Sequence, residues 1–184
     1  MEKLYNAFQQ IKCDVCHKNI DYEIWIEHLV NQLMLSKKKK SMLCFIGNGG
    51  SAGIAMHMTT DFLKNGGMRT HSMHDATTLT CLGNDFGYEY VFSKQVEMVA
   101  LSDDVLFAIS SSGNSPNIVN AVNQAKEQHC KVITLSGFKE NNRIRTLGDY
   151  NLYVPSMEYG VVESIHNAVL QQIVDELMER NQAI

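Results

Sequence analysis

Ala108-Ile109-Ser110-Ser111-Ser112-Gly113-Asn114-Ser115-Pro116-Asn117 decides the reading of this chain. The run Asp104 to Ser110 enters it as a strand, and four serines crowd the loop that follows. Ser115 is then a good helix N-cap and Pro116 a good first helical residue. A helix N-terminus carries unsatisfied N–H groups and the positive end of the helix dipole, so a dianion bound there needs no lysine. Read alone, the segment fits a Ser-rich turn that only caps a helix as well as it fits a phosphate cradle.

A second loop of the same design favours the cradle. Ser41 to Ile46 reads as a buried strand that opens into Gly47-Asn48-Gly49-Gly50-Ser51, followed by a helical stretch from Ala52 to Leu63. Glycine there tolerates positive φ and lets backbone approach a ligand. The dinucleotide spacing G-x-G-x-x-G fails at Ala52, and no Gly-Lys-Ser/Thr follows to make a nucleotide triphosphate loop. Two Gly/Ser-rich strand-to-helix loops on one sheet edge point to a phosphorylated small molecule gripped by neutral donors.

The chain has 184 residues, 45% hydrophobic and 20% charged, the composition of one soluble domain. A net charge of −4 argues against a nucleic-acid surface. The one basic block, Lys37 to Lys40, reads as the solvated C-terminal end of a helix. No apolar segment suits a signal peptide or a membrane span, so we expect a cytoplasmic protein with its five cysteines reduced. Cys13-Asp14-Val15-Cys16-His17 matches a haem-attachment pattern and half of a zinc pair. With no second pair, we read it as coincidence on an amphipathic helix.

Helix-period apolar residues from Leu4 to Leu35 predict one or two N-terminal helices over residues 1–40. Beyond them strands at Met42–Ile46, Thr70–Met73, Val105–Ser110, Val132–Leu135 and Leu152–Val154 alternate with helices at Ala52–Leu63, Tyr88–Ala100, Pro116–His129 and Asn142–Leu147. A long helix from Val161 to Arg180 closes the chain. Such alternation predicts an α/β fold with a parallel sheet covered on both faces, in one domain spanning 1–184.

Several segments together resemble the sugar isomerase (SIS) domain, and within it the phosphoheptose isomerases. They are Gly47 to Ser51, Ala55-Met56-His57, Cys81 to Gly87, Ile109 to Ser115, Val132 to Gly137 and Glu163-Ser164-Ile165-His166. The resemblance implies a five-stranded parallel sheet, a homotetramer, and interconversion of sedoheptulose 7-phosphate and D-glycero-D-manno-heptose 7-phosphate for bacterial surface polysaccharide. It assigns substrate contacts to Asn48, Gly49, Gly50, Ser51, Asn84 and Asp85, and phosphate contacts to Ser110, Ser111, Ser112 and Ser115.

Isomerisation through an enediol needs a proton-transfer group and a carbonyl-polarising donor. His57 and Asp61 share one helix face, and Glu163, Asn167 and Gln171 form a polar stripe on another. Either stripe alone fits a solvated helix face. Asp61, Glu163 and Gln171 are the catalytic candidates, although the family pattern has Glu, Gln and His at these three positions. His57, Asp61, Glu163 and Gln171 also match residues that hold zinc in some family members. The reading requires no cofactor; zinc or another divalent cation is the metal these four would take. His166 reads as either a packed histidine or a substitute acid/base, and His71, His74 and His129 as surface or core histidines. Two other readings fit the same motifs: an isomerase of another sugar phosphate, and a non-catalytic binding protein similar to the replication-initiator-associating protein.

Overall fold

Three apolar runs form the centre of the sheet because their side chains are buried on both faces. They are β3 (Met42–Gly47), β5 (Val105–Ser110) and β6 (Lys131–Ser136). Alternation along each strand sends Leu43, Phe45, Val105, Phe107 and Ile109 to one face and Cys44, Ile46, Leu106 and Ala108 to the other. On the first face Phe45 stacks on Phe107 with ring centroids 4.8 Å apart, and Phe62 tilts against both. In this computed structural model, which describes residues 1–182, five strands run parallel as predicted. β4 (Arg69–Ser72) and β7 (Tyr150–Tyr153) complete the five beside β3, β5 and β6.

The sheet is longer than expected. A hairpin, β1 (Lys12–Val15) and β2 (Lys18–Ile20), adds two antiparallel strands beside β7, giving the order β2-β1-β7-β6-β5-β3-β4. The Cys13 to His17 stretch predicted on a helix is therefore a hairpin and its turn. Cys16 and His17 take φ of 47° and 67°, the doubly left-handed turn that Asn-Gly usually signals. The N-terminal helices are accordingly split into α1 (Glu2–Phe8) and α2 (Tyr22–Lys39), the latter capped by Asp21. Lys37, Lys38 and Lys39 occupy the last turn of α2. All five cysteines are free thiols.

Helix α3 (Gly50–Lys64) connects β3 to β4, and α6 (Pro116–Glu127) connects β5 to β6. The β4-to-β5 connection holds α4 (Ala76–Phe86), a 3-10 turn at Tyr88–Tyr90, and α5 (Val91–Val99) where one helix was predicted. Helix α7 (Tyr159–Gln182) packs with α2 and α3 on the first face, while α5 and α6 cover the second. The predicted helix at Asn142–Leu147 is a run of turns with i to i+3 bonds. Its side chains are drawn elsewhere: Asn142 bonds Ser136, Gly137 and Lys139, and Ile144 N–H donates to Gly113 O.

Arg145, in the same connection, makes a buried ion pair with Asp14 and lies over the Tyr153 ring, tying the hairpin to the parallel sheet. Replacing Arg145 with Met leaves the Asp14 carboxylate buried and unpaired, which should cost about 3 kcal/mol or more. Urea unfolding should show a lower midpoint at an unchanged slope, and Asp14→Leu added to Arg145→Met should recover most of the loss.

Candidate active site

Strands β3 and β5 are neighbours, yet α3 leaves β3 for one face and α6 leaves β5 for the other. The crevice so opened at the carboxyl ends of the strands is the usual ligand position in such sheets. Here it is a cleft of about 400 Å³ lined by Asn48, Gly49, Gly50, Ser51, Ser110, Ser111, Ser112, Ser115, Tyr159 and Glu163. Nine of these were singled out from the sequence; Tyr159 was not. It lies one turn before Glu163 on α7, in a turn that the sequence pattern did not include in the helix, and packs edge-on against Phe138.

Neither α3 nor α6 has a side-chain cap from its N-cap residue; the Gly50 and Ser51 N–H groups open α3 at the cleft, while at α6 Pro116 has no N–H and Ile118 N–H goes to Asn117 Oδ1. Ser115 is the N-cap residue of α6, but its hydroxyl makes no capping bond and is free for a ligand. The Ser110 hydroxyl accepts from Gly113 N–H at 3.2 Å and that of Ser112 from Asn114 N–H at 3.3 Å, which leaves each O–H proton to donate to an anion. Gly113, at φ 64°, cannot be anything larger, because a Cβ there would lie 1.9 Å from Asn142 Oδ1.

Glu163 closes the cleft on the α7 side. Its carboxylate rests on Gly50 so closely that a Cβ would meet Oε2 at 2.3 Å, and Ser111 Oγ lies 3.5 Å from Oε1. An anion in that position faces the positive end of α3. Asp61 and Gln171 sit elsewhere: Gln171 is two turns further along α7, where its Nε2 donates to Asp61 Oδ2 at 2.8 Å. His57 Nε2 reaches the same oxygen at 3.0 Å. Asn84 and Asp85 bond one another on exposed α4 and do not line the cleft.

The loops are braced by residues that carried no sequence signal. His74 links Ser72 Oγ and Gly47 O, each at 3.0 Å, and burial pushes its imidazole below the ordinary pKa. Asn117 exchanges two hydrogen bonds with Asn48, and the Tyr88 hydroxyl adds a third.

Residues 22–137 match the family model of the SIS domain. The chain is 35% identical over 168 residues to the phosphoheptose isomerase of a Nitratiruptor species, covering 86% of this chain and 88% of that one. It is 40% identical over 143 residues to the phosphoheptose isomerase of Haemophilus ducreyi, covering 73% and 72%. The solved phosphoheptose isomerase of Neisseria gonorrhoeae shares the fold with a TM-score of 0.82 at 29% identity, over 96% of this chain and 93% of that one. The chain belongs to the SIS-domain phosphoheptose isomerase family.

In this isomerase three of the four candidate metal ligands, His57, Asp61 and Gln171, meet at the Asp61 carboxylate, and Glu163 lies at the cleft two turns away along α7. Gln171 turns its N–H, a donor, toward Asp61, and Glu163 is engaged at the cradle. Among the described residues no three His, Cys, Asp or Glu side chains converge to hold a cation.

His166 is a packed histidine. It is fully buried on α7 with Nε2 3.1 Å from Ser136 O, and Nδ1 has no partner among the described residues. Burial lowers its pKa from 6.5 to about 4. The unfolded chain therefore binds this proton before the folded one does, and stability present above pH 6.5 is lost as pH falls toward 4. The unfolding free energy measured across that interval should fall, and His166→Gln should flatten the fall.

Proposed function

We propose that this isomerase interconverts sedoheptulose 7-phosphate and D-glycero-D-manno-heptose 7-phosphate through an enediol. The observation that carries the reading is a carboxylate, Glu163, sharing one cleft with two N-terminal helix ends and five serines. A cleft of about 400 Å³ lies within the range of small-molecule sites, roughly 300–1,000 Å³, and has room for the sugar as well as its phosphate. The relatives' name, phosphoheptose isomerase, supports a phosphorylated seven-carbon sugar as substrate.

Ser110, Ser111, Ser112, Ser115 and Ser51 hold the phosphate, with the N–H groups that start α3 and α6. Asn48, Gly49 and Gly50 flank the sugar chain. Glu163, the one acid lining the cleft among the described residues, takes the proton from the carbon next to the carbonyl and returns it to the former carbonyl carbon, while the hydroxyl proton passes from the one oxygen to the other. Asp61 is held by Gln171 and His57 beyond the cleft.

Two further readings belong to this proposal. Among the described residues no helix is long and apolar enough to cross a membrane, which suits a cytoplasmic enzyme. Met56, Leu63, Phe86, Tyr90 and Met98 are exposed apolar side chains, which suits a homotetramer. Light scattering at micromolar concentration should give four times the mass of the chain; a monomer would refute the assembly.

Incubating the protein with sedoheptulose 7-phosphate and following the aldose by NMR tests the reaction. Glu163→Gln should lower turnover about 100-fold to 10,000-fold with calorimetric affinity nearly unchanged. Full activity in that variant would overturn the assignment. Ser112→Ala should weaken sugar-phosphate binding by about 1 kcal/mol or more, the value of a hydrogen bond to a charged group.

A further inference from the structure

We infer that Asn117 and Tyr88 are positioning residues that fix Asn48 as a one-way N–H donor into the cleft, an inference that rests on the isomerase reading above. Asn117 is 2% exposed at the start of α6 and does not itself line the cleft. Its Oδ1 accepts from Ile118 N–H at 3.0 Å, a proton it shares with Ser115 O at 3.1 Å, and this contact favours the oxygen at that end of the amide. Asn48 Nδ2 then donates to that oxygen at 2.9 Å, and Asn117 Nδ2 donates back to Asn48 Oδ1 at 2.9 Å.

The Tyr88 hydroxyl takes the other lone pair of Asn48 Oδ1 at 3.1 Å. With both lone pairs filled, this oxygen has nothing left to offer a ligand. One N–H of Asn48 is engaged by Asn117 and the other remains. A cleft residue whose amide could otherwise present either end is thereby restricted to donating. That is the polarity an enediol reaction needs at the substrate oxygen that gains negative charge, and a donor fixed in advance needs no reorganisation during the reaction.

The pair also spans the two halves of the site. Asn48 follows β3 and Asn117 belongs to α6, so the reciprocal bonds hold the glycine loop against the serine loop. Asn120 extends the brace by donating to Glu89 O, in the 3-10 turn that carries Tyr88.

The test compares Asn48→Ala, Asn117→Ala, Tyr88→Phe and the Asn48→Ala/Asn117→Ala double variant, by turnover of sedoheptulose 7-phosphate and by calorimetric binding of the same compound. Asn117→Ala should lower kcat about tenfold with a smaller change in KM, short of the hundredfold or more that loss of an oxyanion donor itself costs. Added to Asn48→Ala it should lower kcat no further, because a residue acting through another has nothing left to act on. Tyr88 is exposed, so Tyr88→Phe keeps the fold, and it should lower kcat about threefold to fivefold, the scale of one neutral hydrogen bond. Losses that multiply in the double variant, or full kcat in both Asn117→Ala and Tyr88→Phe, would overturn the inference. A parent protein without turnover would instead overturn the isomerase reading, and the same non-additivity, read then in calorimetric affinity, would still decide the role of Asn117.

Discussion

The site depends on two adjacent parallel strands, β3 and β5, whose helices depart to opposite faces of the sheet. That divergence brings two helix N-termini to one crevice and leaves the N–H groups of Gly50 and Ser51 on α3 and of Asn117 on α6 without partners among the described residues. Close approach does the rest. Gly50 admits the Glu163 carboxylate and Gly113 admits Asn142 Oδ1 at distances that no Cβ would tolerate. The loops are therefore shaped by backbone packed against side chain, and their donors are in place before a ligand arrives.

The parts of the fold legible in the sequence are those whose signal is local. β3, β5 and β6 are continuous apolar runs ending in Gly or Ser, and the loops after β3 and β5 carry their chemistry in contiguous residues. The β1–β2 hairpin is hidden because Cys16 and His17 occupy left-handed positions without a glycine or asparagine to announce them. Helix α4 is obscured by its threonines, with only Asp75, which accepts from Thr78 N–H, as a start signal. Residues 142–147 read as a helix, but Asn142 and Arg145 are claimed by distant partners, and tertiary bonds override the local pattern.

The site divides the same way. Asn48 to Ser51, the serines and Glu163 meet as the motifs imply. Asn117, Tyr88 and His74 act through bonds to other elements, and no spacing in the sequence records that. Asp61 and Gln171 illustrate the converse. Both match family positions, and α3 and α7 do bring them together, but with His57 and at a distance from the cradle. Gln171 lies eight residues after Glu163, about 12 Å along a helix of 1.5 Å rise. The carboxylate that this chain carries at 163 is thus the one that lines the cleft, while the shortened acid at 61 is occupied by an amide and an imidazole.

The chemistry of the lining also separates reactions at carbon from reactions at phosphorus. Phosphoryl transfer spreads charge over the transferring group, and enzymes answer it with lysine, arginine or magnesium. Among the described residues no lysine or arginine lines this cleft, whose ionisable members are Glu163 and the Tyr159 phenol. Neutral hydroxyls and helix N–H groups bind a phosphate well but do little for charge growing on it. A carboxylate beside the cradle would oppose that growth further. The same carboxylate is useful if the phosphate is only a handle and the bond that breaks is C–H. A donor-only Asn48 then supplies the second requirement, a partner for the developing enediolate oxygen. The composition of the cleft therefore favours isomerisation of the sugar over transfer of its phosphate.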